Sequence, residues 1–125
     1  MGETGIGTRS SVLVVEDELL IRMDIVEAIK IAGYDVFEAG NADEAIAVLE
    51  RRSDISVVFT DIHMPGSMDG MKLAHYVRGR WPPIRIIATS GHARISEEEL
   101  PEHSRFIGKP YVHSTVIDTI RQFAT

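Results

Sequence analysis

Residues 57–66 read VVFTDIHMPG. Val57, Val58 and Phe59 form an apolar run, Thr60 follows, and Asp61 ends it. A short apolar run bounded by turn residues is the pattern of a strand buried on both faces. Met64, Pro65 and Gly66 supply the turn at once. A carboxylate at the last step of such a strand is costly to desolvate unless the strand surfaces there. The stretch therefore predicts a buried central strand over 55–60 that delivers Asp61 to one edge of a sheet.

The same pattern recurs on either side. Val12 to Val15 is apolar throughout and stops at Glu16-Asp17-Glu18. From Leu19 the period becomes helical, with Leu20, Ile21, Ile25, Ala28, Ile29 and Ala32 in step and Gly33 as a stop. A second strand is expected over 34–39. Asn41 with Glu44 three residues on forms a capping-box pattern, and Ala45, Ile46, Val48 and Leu49 give the helix its buried stripe. A helix over 70–79, burying Leu73, Ala74 and Val77, is broken by Trp81-Pro82-Pro83. Residues 84–89 form a fourth strand. Ser96 and three glutamates suggest one or two helical turns before Pro101. Residues 106–108 form a very short fifth strand, and 114–123 a last helix with Val116, Ile117, Ile120 and Phe123 inward. Apolar strands alternating with helices imply a parallel sheet covered on both faces, a three-layer α/β sandwich.

Bulk composition sets limits. The chain has 125 residues, 44% apolar and 26% charged, with a formal net charge of −6. That size suits one domain. We divide it into a mobile tail over 1–10 and a domain over 11–125. The acidic balance disfavours nucleic acid and anionic membranes as partners. No run approaches the roughly 20 apolar residues that span a bilayer, and the N-terminus lacks the apolar core of a secretory signal. There is no cysteine, so thiolate metal sites are excluded. A cytoplasmic location is expected. The GIG at 5–7 precedes the first strand, so it lacks the context of a phosphate loop.

In parallel sheets, ligands sit beyond the carboxyl ends of the strands. Glu16 and Asp17 follow strand one, Asp61 strand three, Thr89 and Ser90 strand four, and Lys109-Pro110 strand five. Three clustered carboxylates resist ionising together unless a cation joins them. Mg²⁺ suits such oxygen donors and keeps several waters. Asp61, at the centre, is then the natural nucleophile toward a phosphoryl group. Ser90 is placed to donate to a phosphoryl oxygen, and Lys109 to neutralise another or to pair with Asp61. Taken singly, these features are bland: an acidic pair often starts a helix, a lone Asp often caps a turn, and Lys-Pro says little. Jointly, each at its own strand end, they are specific.

VLVVEDE, TDIHMPGSMDG, ATSG and GKP, in that order, resemble the receiver domain of two-component response regulators over residues 11–123. The resemblance implies a flavodoxin-like doubly wound sheet of order 2-1-3-4-5 with five flanking helices. It makes Asp61 the phosphoacceptor, supplied by a sensor histidine kinase or a histidine phosphotransfer protein. It makes Asp17, Asp61 and the main-chain carbonyl of His63 ligands of Mg²⁺, with Glu16 acting mostly through water. Ser90 becomes the hydroxyl switch beside the small Gly91, Lys109 a phosphoryl contact with a cis bond to Pro110, and Phe106 the aromatic switch, a role Tyr111 shares in some relatives. The module is then a monomer or weak dimer signalling to a downstream protein, with no output domain following.

Three departures from the pattern stand out. MPGSMDG carries one extra residue at Gly66-Ser67, the segment between Ser90 and Phe106 is short enough to truncate the fourth helix, and ATSG with KPY resembles receivers found alone or attached to kinases. His63 and His92, each two positions after a site residue, are expected to tune the lifetime of an aspartyl phosphate. The other histidines show no zinc spacing. Trp81 is expected to shield the far end of the sheet. Competing readings are a phosphate relay or sink detached from a hybrid kinase, a Mg²⁺-dependent phosphatase with Asp61 as nucleophile, and a receiver-like interaction protein that is no longer phosphorylated.

Overall fold

The computed structural model describes residues 11–64, 66, 68–91 and 97–124. Five strands, β1 (Ser11–Val15), β2 (Asp35–Ala39), β3 (Ile55–Asp61), β4 (Arg85–Ser90) and β5 (Ser104–Gly108), form one parallel sheet of order β2-β1-β3-β4-β5. The helices are α1 (Leu19–Ile31), α2 (Ala42–Arg51), α3 (Gly70–Arg80) and α4 (His113–Ala124). This is the expected doubly wound sandwich. It has four α-helices among the described residues, not five; between β4 and β5, where the fourth of the five was expected in truncated form, stands a 3₁₀ turn, Glu97–Glu99. Ser96 and the rest of 92–96 lie outside the described residues, as do the expected tail and its GIG.

The period-two geometry of strands divides the core. Val12, Val14, Val57, Phe59 and Ile87 face Ile25, Val26 and Ile29 of α1 and Val116, Ile117 and Ile120 of α4. Leu13, Val15, Val58 and Ile86 face Ala45 and Leu49 of α2 and Leu73, Ala74 and Val77 of α3. A third, smaller cluster of Ile62, Ala88 and Leu100, with Met71 and Phe106 beside it, closes the sheet near the 3₁₀ turn. Trp81 packs against the α2/α3 side of the core.

Helix ends follow the sequence closely. Gly33 has φ +107°, the conformation that favours glycine after a helix. The Asn41 side chain accepts from the Glu44 N–H at 2.9 Å, while Glu44 reaches back to the Gly40 N–H at 2.7 Å, one residue before the usual reciprocal partner. Asp69 caps α3 by accepting from the Lys72 N–H at 2.9 Å. One stripe differs from expectation. Leu20 and Ile21 keep helical spacing, yet Leu20 is 80% exposed and Ile21 also faces solvent. At 3.6 residues per turn Leu20 lies about 180° around α1 from Ile29, on the face turned away from the buried Ile25, Val26 and Ile29, and Ile21 lies at the margin of that buried face.

Candidate functional site

Register places the site. β1 ends at Val15 opposite Thr60, Asp61 pairs with Thr89, and Ser90 pairs with Gly108. Hydrogen bonds continue this ladder past the strand ends: Ile62 N–H to Thr89 O at 2.9 Å, Lys109 N–H to Ser90 O at 2.9 Å, and Glu16 N–H to Ala39 O at 3.0 Å. Asp61 and Lys109 are therefore held by the backbone of β3 and β5. Asp61 is 6% exposed and Glu16 3%, whereas Asp17 is open to solvent.

Glu16, Asp17 and Asp61 each offer a carboxylate oxygen within 4.8 Å of the others. Lys109 Nζ lies 3.2 Å from Asp61 Oδ2 and 3.4 Å from Glu16 Oε1. The other Asp61 oxygen accepts from the His63 N–H at 3.3 Å, and the second Glu16 oxygen from the Glu18 N–H at 3.1 Å. Burial pushes the Glu16 carboxyl above its ordinary range, although the Glu18 N–H and Lys109 oppose this; Asp61 pushes with it. Burial pulls on the Lys109 ammonium in the neutral direction, but Asp61 and Glu16 outweigh it and raise its pKa. When all are ionised, three carboxylates against one ammonium leave a local charge of −2. Hard oxygen donors with that balance fit a divalent cation such as Mg²⁺.

Around this centre, Ser90 is buried, Gly91 is exposed, and the Lys109–Pro110 bond is cis as the resemblance implied. Thr89 Oγ1 is buried and lacks a hydrogen-bond partner among the described residues. Tyr111 is half-buried with its ring edge-on to Phe59 at 5.7 Å. Burial first, then Glu16, Asp24 and Asp61, push its phenol up to about 12, so it stays neutral. Phe106 is half-buried, and its N–H donates to the Glu97 carboxylate at 2.9 Å, tying the 3₁₀ turn to β5. A cleft of about 450 Å³ opens beside Lys109, lined by Ile21, Asp24, Gly91, Pro110 and Tyr111.

The structure thus gathers Glu16, Asp17, Asp61 and Lys109 directly, with the His63 main chain against Asp61. Phe106 lies apart from them, in the small third cluster. His92, Pro65 and Ser67 lie outside the described residues. Two residues escaped the sequence reading. Gly70 N–H donates to Ile62 O at 2.8 Å, and a Cβ on Gly70 would lie 1.9 Å from Asp61 O. Arg22 Nη1 donates to Glu16 O at 2.9 Å. Gly70 ends the TDIHMPGSMDG stretch that carries the resemblance, but nothing local announces its contact with the end of β3, and an arginine on a helix is ordinary.

Comparison with known proteins agrees with this fold. The family model of the response regulator receiver domain matches residues 12–121. The sensor kinase CckA of Brucella abortus (strain 2308) is 32% identical over 123 residues, covering 95% of this chain and 13% of the kinase. Two further curated relatives are each spanned over 24% of their length. A response regulator receiver protein from Sinorhizobium medicae WSM419 superposes with a TM-score of 0.85 at 26% identity, covering 93% of this chain and 94% of that one. The receiver domain of the hybrid histidine kinase CckA does so at 0.80 and 26%, covering 93% and 100%.

Proposed function

The chain belongs to the response regulator receiver domain family of two-component signalling, and from that premise we propose that it accepts a phosphoryl group from a phosphohistidine donor onto Asp61 in a Mg²⁺-dependent reaction. The observation that carries this is the placement of Asp61: nearly buried, fixed at the end of the central strand, and within reach of two other carboxylates and an ammonium. The bond formed is between a carboxylate oxygen of Asp61 and phosphorus. The bond broken is the donor's phosphorus–nitrogen bond, and its electron pair leaves with the imidazole.

Each neighbour has a part in that step. Glu16, Asp17, Asp61 and the His63 carbonyl would hold the ion, which would supply shielding of phosphoryl charge from the carboxylates. Lys109 leaves its ion pair with Asp61 to meet a phosphoryl oxygen, which exchanges one anionic partner for another. Ser90 turns its hydroxyl toward the group. The Asp61 oxygen that accepts from the His63 N–H stays oriented by that bond. Preorganisation of this kind lowers the barrier because the groups need not reorient during the reaction.

Phosphorylation then shifts the populations of Ser90, Phe106 and Tyr111 and so changes affinity for a downstream protein. The Glu97 carboxylate on the Phe106 N–H gives the 3₁₀ turn a direct tie to that shift. The donor is a sensor histidine kinase or phosphotransfer protein. Leu19, Leu20 and Met23 of α1 and Val112 are exposed apolar side chains that offer a contact surface for it. No described helix is long and apolar enough to cross a membrane. We place the module in the cytoplasm, as a monomer or weak dimer that binds no nucleic acid.

The test uses phosphoramidate, whose phosphorus–nitrogen bond stands in for phosphohistidine. With Mg²⁺ the wild type should gain a hydroxylamine-labile acyl phosphate; with EDTA, or as Asp61→Asn, it should gain none. Equal labelling of wild type and variant would refute the assignment.

A further inference from the structure

Arg22 lies on α1, outside the acidic cluster, and makes two side-chain contacts. Its Nη1 donates to the main-chain oxygen of Glu16 at 2.9 Å, and its Nε to Glu38 Oε1 on β2 at 3.1 Å. The Glu16 carbonyl belongs to the peptide plane that joins Glu16 to Asp17. The preceding plane is held through the Glu16 N–H on Ala39 O. Both peptide planes flanking Glu16 are therefore pinned, one by the β2 backbone and one by the guanidinium.

Gly40 supplies an independent observation. A Cβ at that position would lie 3.1 Å from Arg22 Nη1 and 3.4 Å from Glu44 Oε1, so the bare glycine leaves the guanidinium its place. Gly40 is itself fixed by donating its N–H to Glu44 Oε1 at 2.7 Å. Glu38, Gly40 and Glu44 thus form a bracket on the β2–α2 side, and Arg22 joins that bracket to the turn after β1.

We infer that Arg22 is a positioning residue for the proposed Mg²⁺ site, holding the Glu16–Asp17 peptide so that the exposed Asp17 carboxylate is already aimed when the ion arrives. The inference rests on the receiver reading given above. Asp17 is exposed, so little else in its surroundings orders it. Arginine suits the task because its planar fork serves two acceptors at fixed angles, which an ammonium does not.

The sign of the effect separates a brace from a mere charge. Arg22 is a cation near a cation site, so removing its charge alone should tighten Mg²⁺ binding. Removing a brace should weaken it, and groups that orient metal ligands typically change affinity by about ten- to a hundredfold. We expect Arg22→Ala to weaken Mg²⁺ about tenfold and Arg22→Lys to restore only part of that. Gly40→Ala, which changes no charge, should weaken it several-fold.

The experiment is calorimetric titration of Mg²⁺ into the wild type and these variants, alongside phosphoramidate labelling at saturating Mg²⁺ and a melting curve. Weakened Mg²⁺ binding in Arg22→Ala and Gly40→Ala, with labelling recovered at saturating ion, supports the brace. A loss of melting temperature with Mg²⁺ affinity unchanged or tighter overturns it. Should Arg22→Ala not fold, Gly40→Ala decides by the same criterion. A wild type that binds Mg²⁺ and is labelled, beside variants that bind as tightly, overturns the brace alone; a wild type that does neither overturns the receiver reading and the brace with it.

Discussion

Gly70→Ala is the substitution that most sharply tests how the backbone carries Asp61. A Cβ at Gly70 would lie 1.9 Å from Asp61 O and 2.7 Å from both Asp61 C and Ile62 Cα, all main-chain atoms. The first separation falls short of an ordinary 3.4 Å contact by about 1.5 Å. No side chain can rotate to relieve it, so the start of α3 must move away from the end of β3. That movement breaks the hydrogen bond from Gly70 N–H to Ile62 O, now 2.8 Å long. Overpacking costs about 1–3 kcal/mol and the lost bond about 1 kcal/mol, while alanine's helix preference returns somewhat less than 1 kcal/mol. The net is about 1–3 kcal/mol, a sizeable part of the roughly 5–15 kcal/mol that holds a domain folded. At about 4 °C per kcal/mol, the melting temperature should fall by roughly 4–12 °C. Asp61 should also lose its aim, and a displacement near 1 Å costs on the order of a hundredfold in rate. Urea titration, a melting curve and initial rates of phosphoramidate labelling measure both. A Gly70→Ala protein as stable and as quickly labelled as the wild type would refute the reasoning.

Three further outcomes follow from the site and its supports. Lys109→Met leaves Glu16 and Asp61 without their ammonium. Discounted for partial exposure of the lysine head, the cost is about 2 kcal/mol, roughly 8 °C in EDTA, while Mg²⁺ should bind more tightly than to the wild type; melting and calorimetric titration would show either shift absent if the pairing is idle. Glu16 has a folded-state pKa raised above 4.5, chiefly by burial. Its contribution favours folding fully below 4.5 and is lost as pH rises through the raised folded value. Glu16→Gln should therefore stabilise the protein more at pH 7 than at pH 4, and urea midpoints in the opposite order would contradict this. Asn41→Ala removes the cap of α2 and should cost about 1 kcal/mol with labelling unchanged, as equilibrium unfolding and the labelling assay would check.

Much of this fold was legible because burial on two faces leaves a plain mark: Val12–Val15, Val57–Phe59 and Ile86–Ile87 are continuous apolar runs. The caps at Asn41 and Gly33 were legible because their chemistry is local. The site was legible one level up, once the strand ends had placed Glu16, Asp17, Asp61 and Lys109 on a common edge. Leu20 and Ile21 misled because α1 carries apolar residues on more than one face, and Leu20 lies opposite the buried Ile25, Val26 and Ile29. The loss of the expected fourth helix, between β4 and β5, was foreshadowed by the short 91–105 segment, but the 3₁₀ turn at Glu97–Glu99 has a tertiary tie, from the Phe106 N–H to Glu97, that no local pattern announces. Gly70 and Arg22 act through backbone atoms of distant residues. Gly70 stands in the TDIHMPGSMDG motif, but the contacts themselves cannot be read from a single sequence.

The central claim is that one carboxylate, Asp61, takes the phosphoryl group. Trypsin cuts after Arg52 and Lys72, so Asp61 falls in the peptide spanning 53–72. Mass mapping of the protein treated with phosphoramidate and Mg²⁺, digested briefly at neutral pH and then kept cold and acidic, should show a gain of about 80 Da confined to that peptide. Asp61→Asn should erase it. A gain on any other peptide, or one that survives in Asp61→Asn, would contradict the account.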